Sequence, residues 1–162
     1  MRFEFYSDAI ADVPKLSVDG TVDNAIHFSH WKGNQTPESV KADTSTETVL
    51  NVVAARNRAE LTRSIDLVTN NHFDTDGILS VWTMLTGERA LDLRDRLIAA
   101  AEAGDFSEMS SVDGVRASRK RRPVCAKPIA DFASSGSEGL SSECVYGMLR
   151  PIPPVPVVPT FT

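Results

Sequence analysis

Alternating apolar and polar residues predict a strand at 25–31, near the amino terminus. Ile26, Phe28 and His30 then share one face, and the residues between them take the other, as expected for a half-buried strand. A second run at 2–6 is short and aromatic, which is typical of an edge strand. The amino-terminal part of the chain therefore predicts two strands.

Apolar residues at helical spacing predict helices at 45–61 and 88–103. The first begins with a capping-box pattern, in which Thr44 and Glu47 satisfy the free N–H groups of the opening turn. The second is rich in Leu, Ala, Arg and Glu, and Gly104 lies where a C-terminal cap is expected.

Between these helices the chain has the order strand, polar turn, helix. The β-favouring run at 65–69 leads into a turn, and a compact, largely buried helix follows at 77–85, with Trp82 in the core. This order predicts an α/β fold with a parallel or mixed sheet and flanking helices. The turn would then lie at the carboxyl end of a strand, where such sheets bind ligands.

Charge changes sign along the 162 residues. Residues 1–114 carry 10 Lys and Arg against 19 Asp and Glu, a balance of −9, whereas residues 115–162 carry 7 against 3, a balance of +4. Seven of the nine prolines also lie in the second segment. We therefore predict an α/β domain, whole or partial, at 1–114 and a basic, Pro- and Ser-rich tail of low order at 115–162. The alternative is that this tail is not the native continuation of the fold.

The tail offers little specific chemistry. Its basic run at 116–127 could bind a nucleic-acid backbone, or it could be a solvated tail, and nucleic acid as a partner depends on this run alone. Cys125 and Cys144 lack metal-ligand spacing, so neither a zinc site nor a structural disulfide is predicted.

Hydropathy predicts a protein without a membrane partner. No apolar run approaches the ~20 residues that cross a bilayer. The amino terminus carries Glu4 and Asp8 and lacks the apolar stretch of a secretory signal. We therefore expect a cytoplasmic protein.

Three metal-competent side chains occupy alternate positions in the turn before the 77–85 helix. His72, Asp74 and Asp76 would point to one side of an extended turn and could converge on one cation. Two carboxylates and an imidazole suit Mn²⁺, with Mg²⁺ as the alternative. Gly77 allows close approach of the backbone, and the N–H groups of a helix start favour a bound phosphate, so Gly77 is a candidate substrate-binding residue.

This turn resembles the first motif of the DHH phosphoesterase superfamily. The matching residues are His72, Phe73, Asp74, Thr75, Asp76 and Gly77, with Ser80 at the small-residue position of the following helix. The resemblance implies two divalent cations, commonly Mn²⁺, with His72, Asp74 and Asp76 as ligands and the two aspartates catalytic. It also implies hydrolysis of a phosphate ester or nucleotide.

The later motifs of that superfamily, a further Asp and an Asp-His-His triplet, have no counterpart, because no histidine follows His72. We therefore expect a divergent or truncated member, and an inactive metal- or nucleotide-binding protein is the alternative. Upstream, His27 and His30 could add polar ligands or substrate contacts, and Lys32 could bind a phosphate; the simpler interpretation is one packed and one solvated histidine.

The turn has three other interpretations. A haloacid dehalogenase-type phosphatase would use Asp74 as nucleophile, but Ile78 replaces the expected Thr and polar residues interrupt the strand before the motif. An EF-hand is excluded, because the twelfth loop position is Leu85 instead of Glu. The third interpretation is a simple helix cap, in which the aspartates only accept backbone hydrogen bonds.

Overall fold

The computed structural model describes residues 1–105, so the predicted tail, its basic run and both cysteines lie outside the described residues. Within this part, four parallel strands form one sheet with flanking helices, which confirms the predicted α/β fold class. The strands are β1 (Arg2–Phe3), β2 (Lys15–Val18), β3 (Ala25–Phe28) and β4 (Leu67–Thr69). Their order is β1-β4-β2-β3, so the aromatic run at the amino terminus forms an edge strand as predicted.

Four α-helices accompany the sheet in the described part of the chain. They are α1 (Ser45–Ala54), α2 (Arg58–Leu61), α3 (Thr75–Thr86) and α4 (Arg94–Asp105), with short 3₁₀ segments at Asp8–Ile10 and Gly87–Leu93. Helices α1 and α3 pack against each other and against the sheet, and α4 packs on both of them. No helix in residues 1–105 has the length and apolar character needed to cross a membrane.

The core has two layers. Between the sheet and the helices, Phe3, Val68 and Leu16 are paired across neighbouring strands, and all three are almost fully buried. Between the helices, Trp82 packs with Leu97 and other apolar residues of α1, α3 and α4, which confirms its predicted place in the core. Burial of these apolar surfaces fixes the helices over the sheet.

Two helix predictions need correction. The predicted helix at 45–61 is interrupted after Ala54, because Ala55 takes an extended conformation and α2 buries no residue that would hold it in line. The predicted helix at 88–103 begins as a 3₁₀ segment and becomes α-helical only at Arg94. The predicted cap at Thr44 is confirmed, since its side chain accepts a hydrogen bond from the Glu47 N–H.

Gly104 is not the C-terminal cap that its position suggested, since it lies inside α4. A Cβ at Gly104 would lie 2.4 Å from the Cβ of Thr75, at the start of α3. The glycine is therefore needed for close packing of two helices, and it places Asp105 beside the first turn of α3.

Strand β2 was not predicted, although all four of its residues are buried. Residues 19–24 alone join it to β3, whereas parallel neighbours usually need a crossover of a dozen or more residues. The short connection bends through Asp19 and Asn24, which have φ values of 64° and 52°. Aspartate and asparagine tolerate this left-handed conformation better than most residues, so Asp19 is suited to end β2.

Lys15 stabilises the opposite end of this connection. Its side chain is buried, and its Nζ donates hydrogen bonds to the carbonyl oxygens of Ala11 and Val13, each at 2.8 Å, and of Asn24 at 3.4 Å. Burial lowers the pKa of Lys15. One buried cation thus joins the loop before β2 to the loop before β3.

We expect Lys15→Ala to lower the free energy of unfolding by about 2 kcal/mol, because it removes the donor to three loop carbonyl groups and the buried lysine stem. Urea denaturation followed by circular dichroism measures the change. Lys41→Ala, at a lysine whose side chain is 41% exposed, is the control and should change it by less than about 0.5 kcal/mol. Equal effects of the two substitutions would contradict the role given to Lys15.

Candidate metal centre

Six metal-competent side chains meet at the carboxyl edge of the sheet. They come from the ends of β2, β3 and β4, from the turn and first residues of α3, and from the last residue of α4: Asp19, His30, His72, Asp74, Asp76 and Asp105. They form two groups, within each of which one ligand atom per residue lies within 4.8 Å of the others. Asp19 belongs to both groups.

The first group contains Asp19, His72 and Asp74. His72 Nε2 lies 2.9 Å from Asp19 Oδ2 and 3.1 Å from Asp74 Oδ2. The hydrogen bonds to Asp19 and Asp74 raise the pKa of His72 to about 10. A protonated imidazole therefore supplies positive charge between two carboxylates, at a point where a cation would have the same partners.

The position of the His72 ring is fixed by its neighbours. Its Nδ1 lies 2.9 Å from Asn71 Oδ1, and its backbone N–H donates to Asn70 Oδ1 at 2.8 Å. A proton on Nδ1 would be donated to Asn71, which leaves Nε2 as the ligand atom on the side of the carboxylates. Asn71 is therefore suited to orient a metal-binding histidine.

The second group contains His30, Asp76 and Asp105 together with Asp19. His30 Nδ1 lies 3.4 Å from Asp76 Oδ2, and its Nε2 lies 3.6 Å from Asp105 Oδ2. The histidine backbone is held by a hydrogen bond from its N–H to Ser45 Oγ at 3.1 Å. This group therefore joins the end of β3 to both α3 and α4.

Asp76 is fully buried and also caps helix α1. Its Oδ2 accepts the Ser45 N–H and its Oδ1 accepts the Thr46 N–H, both at 2.7 Å. Desolvation and the charge of Asp19 nevertheless raise the pKa of Asp76 to about 7. Each carboxylate oxygen has a second lone pair, so Asp76 can cap a helix and still offer an oxygen to a cation.

Negative charge accumulates at this edge. Desolvation, followed by the charges of Asp76, Asp74 and Asp19, raises the pKa of Asp105 to about 7. Oδ1 of Asp19 is buried and accepts no hydrogen bond from the described residues. A buried carboxylate oxygen without a donor is costly, and cations at this point would remove that cost.

For Asp74, desolvation favours the neutral form, but hydrogen bonds from His72 and the Gly77 N–H lower its pKa below the ordinary value. Asp74 is also the N-cap of α3, because its Oδ1 accepts the Gly77 N–H at 2.7 Å. The helix-cap interpretation of the turn is thus correct for Asp74, and the cap leaves Oδ2 beside His72.

Gly77 lies in the first turn of α3, close to Asp19 and Asn70. Its N–H, expected to face a phosphate, donates to Asp74. A Cβ on Gly77 would lie 3.0 Å from Asp19 Oδ2 and 2.6 Å from Asn70 Nδ2. Gly77 therefore allows α3 to approach Asp19, which brings the two ligand groups together.

Of the other predicted contact residues, His27, His30 and Lys32, only His30 belongs to either group of the candidate centre. His30 joins the second ligand group, whereas His27 lies outside both, with its Nε2 2.9 Å from the Val22 carbonyl oxygen. Lys32 is exposed and follows Trp31, whose ring contacts His72. Of the two upstream histidines, His30 therefore lies at the candidate centre and His27 does not.

Sequence reasoning missed Asp19 and Asp105. Asp19 precedes Gly20 in a pair that is typical of turns, and Asp105 follows a glycine expected to end a helix. Neither has a local motif, since each reaches the site through the packing of distant elements. The available signal for Asp19 is an acidic residue at the end of a short buried run, once β2 is recognised.

We expect the metal-free protein to lose stability as the pH rises from about 4 to 9. Asp76 and Asp105, with pKa values of about 7 against an ordinary 3.8, keep protons that the unfolded chain has already released, so ionisation costs more in the fold. His72 extends the decrease at higher pH, because its pKa of about 10 exceeds its ordinary 6.5. Urea denaturation in the presence of a chelator measures the free energy of unfolding at several pH values. Asp105→Asn should reduce the decrease in stability between about pH 4 and pH 7. Stability that increases throughout this range would contradict these assignments.

Residues 1–126 match the family described as Family of unknown function (DUF6687). The matched range includes all six side chains of the candidate centre and extends past the charge reversal near Gly114. No curated protein and no solved structure matches the chain. Because the match covers well over half of the sequence, the chain belongs to this family of unknown function.

Proposed function

We propose that this protein binds two divalent cations through the six side chains of the candidate centre and hydrolyses a phosphate ester or nucleotide. The observation that carries the proposal is the sharing of Asp19 by two ligand groups. A carboxylate has one oxygen for each of two cations, and paired metal sites commonly act on phosphoryl groups. The resemblance of the 72–77 turn to DHH phosphoesterases supports the same class of reaction.

Charge and ligand type support two cations rather than one. The groups contain four aspartates and two histidines, so two divalent ions would balance the charge of four ionised carboxylates. Imidazole and carboxylate ligands without a thiolate suit Mn²⁺, and Mg²⁺ is the alternative when oxygen ligands dominate. The metal itself is proposed from this chemistry.

The residues of this chain would hold the site ready for substrate. Asp76 is fixed by two backbone N–H groups of α1, and His72 is oriented by Asn71. Asp19 and Asp76 are inaccessible to solvent, whereas the side chains of Asp74 and His72 are 35% and 26% exposed. A substrate would therefore approach from the Asp74 and His72 side. When bound, the cations would lower the pKa of a water molecule and neutralise charge on phosphoryl oxygens.

The number of bound cations per chain tests whether Asp19 is shared by two metal sites. We expect about two Mn²⁺ per chain in the wild type, about one in Asp105→Asn, and fewer than one in Asp19→Asn, because the last substitution removes a ligand from both groups. Asparagine is isosteric and tolerates the left-handed backbone at position 19, so the fold should persist.

Elemental analysis after dialysis measures the metal, and circular dichroism confirms the fold of each variant. Asp66→Asn is the matched control, because Asp66 is an exposed aspartate that precedes β4 at the opposite end from the ligands. A wild type that binds no Mn²⁺ or Mg²⁺, or an Asp19→Asn variant with unchanged metal content, would refute the proposed centre.

Hydrolysis of bis(4-nitrophenyl) phosphate or 4-nitrophenyl phosphate tests the chemistry. We expect Mn²⁺-dependent release of nitrophenol, which a chelator stops and which Asp74→Asn lowers by about a hundredfold, since that variant loses a ligand accessible to substrate. Asp66→Asn should retain full activity. Metal binding without hydrolysis of either ester or of a nucleotide would leave the non-enzymatic metal-binding alternative.

A further inference from the structure

Two aromatic residues flank the ligand groups, and they differ in exposure. Phe73 stacks on Phe5 with ring centroids 5.1 Å apart and 7° between the planes, and it packs against the sheet core. Trp31 is 45% exposed and is the one aromatic residue among the exposed large hydrophobic residues of the described chain. Phe73 thus has a structural partner in the core, and Trp31 presents indole surface to solvent.

Trp31 lies beside both ligand groups. Its ring centroid is 4.8 Å from that of His72, with 49° between the planes. It is 6.5 Å from the ring of His30, with 2° between the planes. The indole therefore lies beside one histidine of each group, on the side from which the exposed Asp74 and His72 are reached.

The backbone holds Trp31 in this position. Its N–H donates to Ser29 Oγ at 3.1 Å, and its carbonyl accepts hydrogen bonds from the Asn34 N–H at 3.1 Å and from Asn34 Nδ2 at 2.6 Å. Ser29 is fully buried and donates to the Asp19 carbonyl at 3.1 Å. The loop that presents the indole is thus joined by hydrogen bonds to the residue that both ligand groups share.

We propose that Trp31 stacks on the nucleobase of the substrate, which makes that substrate a nucleotide or a nucleotide-containing phosphodiester. This inference rests on the proposed metal-dependent phosphoesterase function. A nucleotide combines a phosphate, which the cations would bind, with a planar base that can cover the exposed indole. Base–aromatic stacking is tolerant of base identity, and it contributes about ten- to a hundredfold in affinity.

Isothermal titration calorimetry of the Mn²⁺-loaded protein tests the inference with two probes. Adenosine 5′-monophosphate carries a base, and ribose 5-phosphate has the same phosphate and sugar without one. We expect the first to bind at least about tenfold more tightly to the wild type. Trp31→Leu should remove this difference while leaving ribose 5-phosphate binding unchanged, and Trp31→Phe, which keeps an aromatic face, should retain part of it.

Metal content measured on the same samples separates this inference from the proposed function. Val13→Ala, at another exposed apolar residue, is the control and should keep the preference for the base. Equal binding of the two probes by the metal-loaded wild type, an unchanged preference in Trp31→Leu, or no binding of either probe would overturn the inference. A wild type without metal would instead refute the proposed centre itself.

Discussion

The arrangement at the carboxyl edge of the sheet depends on the hydrogen bonds that the Asp76 carboxylate accepts from helix α1. It is fully buried on α3, yet it accepts the first N–H groups of α1 through Ser45 and Thr46. The partial positive charge of a helix N-terminus favours an anion at this point. One side chain therefore fixes the distance between two helices and determines where the metal-competent residues on either side can lie.

Two glycines allow neighbouring elements to pack closely enough for the side chains of the candidate centre to meet. Gly77 lets α3 reach Asp19, and Gly104 lets α4 reach Thr75 at the start of α3. The short connection after β2 turns through Asp19 in a left-handed conformation, so its side chain ends at the same edge. Side chains at the two glycines would separate elements that contribute ligands. These positions thus connect local backbone geometry to the assembly of the site.

The sequence predicted what local spacing determines. The helix after the 72–76 turn and the α/β class follow from residues near one another in the chain. The predicted convergence of His72, Asp74 and Asp76 on one cation does not hold, because Asp76 belongs to the other group. Asp19 could not be found in this way, because it reaches the turn only when β2 pairs with β4, some fifty residues later. Asp105 depends in the same way on the packing of α4 against α3, which spacing within either helix does not specify.

The side chains of the candidate centre come from other parts of the chain than the resemblance to DHH phosphoesterases implies. The resemblance implies a further aspartate and histidines after His72, whereas His30 and Asp19 precede it in the chain and Asp105 lies at the end of α4. A structural role for Asp76 as a cap needs only one buried carboxylate. Asp19 has a buried oxygen that accepts no hydrogen bond from the described residues, and desolvation together with acidic neighbours raises the pKa of Asp105. The two nearby histidines face four carboxylates, so negative groups outnumber their partners at this edge. Such a concentration of acidic groups is unfavourable to folding by itself, and this cost is the physical basis of the proposed cation centre.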